Sequence, residues 1–164
     1  MSVIYVVDTS YLLELYRVPG FSTPTHYPNV VAKVSSAVSS GGLLFLPLPC
    51  VIEFANHLAD SSNKQRALEI GRSFGAEIAL SLRNSGPWRV APVREDLSLF
   101  HTTLTTFLGH HLLSGVGLCD VLTIDLARRL AADYQSLGYQ VHIFTLDRAL
   151  KAHEPNPEIN PYVG

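Results

Sequence analysis

VIYVVDTSYLLELY, residues 3 to 16, decides how this chain folds. Its first five residues, Val3 to Val7, are apolar without alternation, as expected of a central parallel strand covered on both faces. An acid, Asp8, closes the run, and Tyr11 to Arg17 then carries a short helical pattern. Strand, carboxylate and helix in direct succession put Asp8 at the carboxyl end of a strand. That is where open parallel sheets bind ligands.

Related strand signals recur downstream. LLFL at 43 to 46 follows Gly41 and Gly42, a short strand is expected around Trp88 to Val90, and QVHIFT at 140 to 145 follows Gly138. Helical patterns lie between them. One runs from Asn29 to Ser40. The next has Pro49 in its first turn and an expected apolar side of Val51, Ile52, Ala55, Leu58 and Ala59, with Glu53, Asn56 and His57 on another side. Ser62 and Gln65 resemble a capping box for a long helix from about Lys64 to Arg83. Leu97, Phe100, Leu104, Phe107 and Leu108 mark another helix, and the last major one runs from about Asp120 to Leu137. The loop VPGFSTPTHYP, residues 18 to 28, reads as a connection, and the proline-rich tail at 154 to 164 is loosely specified. Strands alternating with helices predict one α/β domain over residues 1 to 164. Its architecture is a three-layer α/β/α sandwich with a mainly parallel central sheet.

With 47% hydrophobic and 16% charged residues among 164, the chain suits one sizeable core. A formal charge of -2 and a pI near 6.4 exclude a protein that coats nucleic acid by bulk charge, though a local basic patch could still hold a few phosphates. Cys50 and Cys119 lack metal-ligand spacing and read as reduced thiols packed in an intracellular protein. No segment approaches the roughly 20 apolar residues that span a bilayer. A soluble, cytoplasmic protein with no membrane partner is expected.

Reading the strand exits in turn collects four acids. Asp8 follows the first strand, Glu53 lies early in the helix entered from the second, Asp120 opens the last long helix, and Asp147 closes FTLD after the fourth strand. Singly, each is an ordinary cap or turn former. Together, two carboxylates about 5 Å apart repel by roughly 3 kcal/mol at an effective dielectric near 20, so four need compensation. A divalent cation is the simplest kind, and carboxylates without histidine or cysteine favour Mg²⁺ or Mn²⁺. Such an ion lowers the pKa of a bound water and polarises a phosphoryl group, which is the chemistry of phosphodiester hydrolysis.

In VVDTSYLL, LPCVIEFANHL, LCDVLTIDLA and FTLDRAL the chain resembles the PIN-domain nucleases, VapC-like proteins among them. The resemblance covers residues 3 to about 150 and implies a metal-dependent endoribonuclease with Asp8, Glu53, Asp120 and Asp147 as catalytic, metal-binding acids. It also implies supporting roles for Ser10 and Thr145, RNA as substrate, a homodimer, and in toxin members an antitoxin partner.

Asn56 and, more weakly, His57 are further candidates beside Glu53. Arg17, Arg148 and Lys151 are candidate phosphate contacts. Asp125 lies about 140° around a helix from Asp120 and should point away. His110 and His111, being adjacent, should also point apart, and Trp88 reads as packing. The chain offers no glycine cradle after its first strand for a dinucleotide, and Ser10 stands where an aspartyl-phosphate enzyme would need a second acid. The remaining rival is a PIN-like RNA- or protein-binding module with little or no catalysis.

Overall fold

The computed structural model describes residues 2 to 93 and 97 to 164. Its four strands are β1 (Val3–Val7), β2 (Leu43–Pro47), β3 (Trp88–Ala91) and β4 (Gln140–Phe144). They form one parallel sheet in the order β3-β2-β1-β4. The helices are α1 (Thr9–Leu15), α2 (His26–Ser39), α3 (Leu48–Asp60), α4 (Lys64–Ser81), α5 (Leu97–Thr106), α6 (Leu118–Tyr134) and α7 (Arg148–Lys151). A π-helical turn, Phe107–His111, continues α5.

Side chains alternate across the sheet and build a separate core on each face. Val7, Leu44, Leu46 and Phe144 pack with Tyr11, Leu12, Val30, Val34, Phe54 and Phe74 from α1 to α4. Ile4, Val6, Val141 and Ile143 pack on the other face with Val121, Ile124, Ala127 and Leu130 of α6 and Leu150 of α7. The result is a three-layer α/β/α sandwich. It also explains why β1 carries no polar alternation: helices cover both of its faces.

Three local expectations are corrected. The buried side of α3 is Cys50 and Phe54, flanked by Val51 and Leu58, while Ile52 is 56% exposed and Ala55 and Ala59 face solvent. Pro47 is both the end of β2 and the residue before α3, so the strand exit fixes the rotation of the helix. Ile52, about 200° around from Cys50, is thereby turned outward. Asn63, not Ser62, caps α4, its Oδ1 accepting from Arg66 N at 3.0 Å. Leu108 is exposed on the π-helical turn, whereas Phe107 packs against the α6 core; the side chain of Leu97 lies outside what is described.

The tail is the largest departure. Residues 154 to 164 form no helix or strand but run along the open edge of β4 and back over α1 and α2, held at Glu154, Asn156, Glu158, Tyr162 and Gly164. Among the described residues, no single helix is long and apolar enough to cross a membrane.

Candidate functional site

Asp8 remains part of the sheet, since its N–H donates to Phe144 O at 2.9 Å, and it also caps α1. Only 6% of it is exposed. Its Oδ2 accepts from Ser10 N at 3.2 Å, Ser10 Oγ at 2.6 Å and Thr145 Oγ1 at 2.9 Å. Both hydroxyls are aimed by their other contacts: Leu146 N donates to Ser10 Oγ at 2.9 Å, and Asp147 N donates to Thr145 Oγ1 at 3.0 Å. A hydroxyl that receives a backbone N–H is left to direct its own proton elsewhere, here at Asp8. Burial raises the Asp8 carboxyl above its ordinary range, and the bonds from Ser10 and Thr145 oppose that shift.

Glu53 reaches the same edge from α3, on the flank of the buried side. Thr9 Oγ1 donates to its Oε2 at 2.5 Å. Asp120 is the third residue of α6, and its Oδ2 accepts from Gly117 N at 2.8 Å. A Cβ on Gly117 would sit 3.1 Å from that oxygen, so glycine leaves the carboxylate room to turn back on the helix start. Asp147 caps α7, its Oδ1 accepting from Ala149 N at 2.6 Å and Leu150 N at 3.2 Å. Glu53, Asp120 and Asp147 each use one oxygen in this way; the other makes no hydrogen bond among the described residues.

The four acids act on one another. The Asp120 carboxyl is pushed up to about 6, chiefly by burial; the Gly117 N–H pulls it down, and the charges of Asp8, Asp147 and Glu53 push it further up. The neighbouring thiols feel the same negative field. Burial, then Glu53, Asp120 and Asp8, raise Cys119 to about 11, and Cys50 is raised by burial and by Asp8 and Glu53. Among the described residues, no lysine, arginine or histidine forms an ion pair with any of the four acids.

Hard oxygen donors that lack a cationic partner match Mg²⁺ or Mn²⁺ in kind. Their placement is looser: among the described residues, no three histidine, cysteine, aspartate or glutamate side chains are set to hold one ion as they stand.

The other candidates are distributed differently. Asn56 is exposed and bonds to none of the acids, and His57 lies edge-on to Phe21 with ring centroids 4.6 Å apart. Arg17 sits over the Tyr27 ring at 4.9 Å. Arg148 is exposed and donates from Nε to Gly164 O at 2.8 Å, which leaves the rest of its guanidinium open. Lys151 is corrected as a phosphate contact. It is buried, and its ammonium donates to Ile143 O and to Glu158, each at 2.9 Å, and forms an ion pair with Glu154 at 2.7 Å, so its charge is already matched inside the chain. Asp125 pairs with Arg129 at 3.3 Å, His111 packs against His153 with ring centroids 5.4 Å apart, and buried Trp88 donates to Glu77 at 3.2 Å.

Two supports were not anticipated. Thr9 sits between two residues already singled out, and its position at a helix start was the available signal. Glu14 is 2% exposed and accepts from Ser22 Oγ at 2.8 Å and from Thr23 N at 3.0 and 3.1 Å, folding the proline-rich loop back against α1. No family model matches the chain, and no curated protein matches it.

Proposed function

We propose that the chain is a metal-dependent endoribonuclease of the PIN type, hydrolysing RNA phosphodiester bonds at the carboxyl edge of its sheet. The supporting observation is that Asp8, Glu53 and Asp147, from three separate strand exits, all raise Asp120 by their charge while, among the described residues, no cation pairs with them. Asp8, Glu53, Asp120 and Asp147 would hold Mg²⁺ or Mn²⁺. When bound, that ion supplies an acidified water and a positive charge for the phosphoryl oxygens. Ser10 and Thr145 fix the orientation of Asp8, Thr9 fixes Glu53, and the N-terminus of α6 fixes Asp120. The open donors of Arg148, beside Asp147, suit a phosphate of the RNA backbone.

One observation favours a second reading. Because, among the described residues, no three donors are set to share an ion as they stand, a PIN-like RNA- or protein-binding module with little or no catalysis is the alternative. The two part on turnover. With Mn²⁺ or Mg²⁺ present, the chain should cut a single-stranded RNA oligonucleotide, and EDTA should stop it. Asp8→Asn should slow cutting about 100-fold or more, since the lost charge stabilisation amounts to several kcal/mol. RNA that binds but stays intact would select the module, and cleavage that persists in EDTA or in Asp8→Asn would remove the nuclease assignment.

A further inference from the structure

β4 is an edge strand, paired with β1 on one side only. An exposed parallel edge would present unpaired backbone groups. Here the tail occupies them. Val141 N donates to Asn156 Oδ1 at 2.8 Å, and Asn156 N donates to Val141 O at 3.3 Å. Ile143 N donates to Glu154 Oε2 at 3.0 Å, and Ile143 O accepts from Lys151 Nζ at 2.9 Å. Every outward backbone group of those two residues is thus satisfied by residues 151 to 156.

The same segment then crosses to the helices. Glu158 pairs with Lys151 at 2.9 Å and with Lys33 of α2 at 2.8 Å. Tyr11 of α1 donates its hydroxyl to Tyr162 O at 3.0 Å. At its far end Gly164 clasps both neighbours of Asp147: Gly164 N donates to Leu146 O at 2.9 Å, and Arg148 Nε donates to Gly164 O at 2.8 Å. Asp147 is exposed and is followed by a helix of only four residues. One helical turn is too short to hold its own geometry, so the position of this carboxylate depends on contacts from outside the turn.

We propose that residues 154 to 164 are a strap that positions the Asp147 turn at the acidic edge, and that releasing the strap frees this carboxylate from the other three. Glu154, Asn156 and Gly164 are positioning residues. A molecule that captured the strap would therefore act on the site without touching it. This consequence rests on the proposed role of Asp147, whereas the positioning itself does not.

Backbone amide hydrogen exchange in the full chain tests it, without RNA or metal. Gly164→Pro deletes the N–H that holds Leu146 O. Exchange at Ala149 and Leu150, the amides capped by Asp147, should then rise about five- to tenfold, the effect of losing one hydrogen bond of about 1 kcal/mol, while the His142 amide facing β1 keeps its protection. Tyr11→Phe removes only the hydroxyl that holds Tyr162 O and should raise exchange at the same two amides in the same direction by a smaller factor. If Ala149 and Leu150 stay protected in both variants, the strap does not position Asp147 and the proposal falls. Should Gly164→Pro fail to fold, Tyr11→Phe decides alone. A chain that cuts no RNA yet shows these changes would lose its assigned reaction and keep its strap.

Discussion

This molecule holds two groups of carboxylates in opposite ways. Beside the tail, Glu154 and Glu158 surround Lys151, and Lys33 adds a second cation; Glu158 is held below the ordinary carboxyl range because the pull of these partners outweighs its burial. At the carboxyl ends of the strands, Asp8, Glu53, Asp120 and Asp147 have hydroxyl and backbone donors but, among the described residues, no cation, and Asp120 is pushed up. The first group is electrically complete within the chain. The second has no such partner among the described residues, and under the proposed function a divalent ion would supply the missing charge.

The comparison is broken most directly at Lys151. Lys151→Met leaves Glu154 and Glu158 facing each other with most of their compensation gone, so unfolding in urea should show a loss of about 3 to 5 kcal/mol, the usual result of removing one partner from a buried ion cluster. A loss below about 1 kcal/mol would mean that this cluster is no more than surface pairing.

Asp120 sharpens it by contrast, because removing a charge there should help. A folded carboxyl at about 6, above the ordinary aspartate value of 3.8, holds its proton more tightly than the unfolded one. The folded state is therefore favoured below about pH 4, loses that advantage as pH rises toward 6, and carries the full disadvantage above. Asp120 is partly exposed, so solvent screening reduces the expected effect to about 1 kcal/mol. In metal-free buffer at pH 8, Asp120→Asn should be more stable than the parent by that amount, and at pH 4 the two should melt together. Mn²⁺ should reverse the order at pH 8. Identical melting curves for parent and variant from pH 4 to 8 would show that the four acids do not repel one another.

Thr9→Val is the mildest probe. Its stability cost should be about 1 kcal/mol or less, yet freeing Glu53 should slow RNA cleavage roughly tenfold. Cleavage at the parent rate would show that Thr9 does not orient Glu53.

Much of this was legible in the chain itself. The apolar runs at 3 to 7 and 43 to 46 have no polar alternation because helices cover both faces of the sheet, and the acids at the strand exits could be read before any contact was known. Ser10 and Thr145 came from the family resemblance, and both do bond to Asp8. Asn56 and Lys151 were not legible. Asn56 depends on the rotation of α3, which the exit of β2 fixes, and Lys151 depends on two glutamates in a tail whose composition predicts no regular structure.

By itself, then, the order of residues determined the alternation of strands and helices and the arrival of four acids at one edge, since both follow from periodicity and from where each strand stops. Tertiary structure decided which charges are neutralised. Lys33 meets Glu158 across 125 positions and Thr145 meets Asp8 across 137, and pairings that distant are set by which surfaces of the folded chain come together.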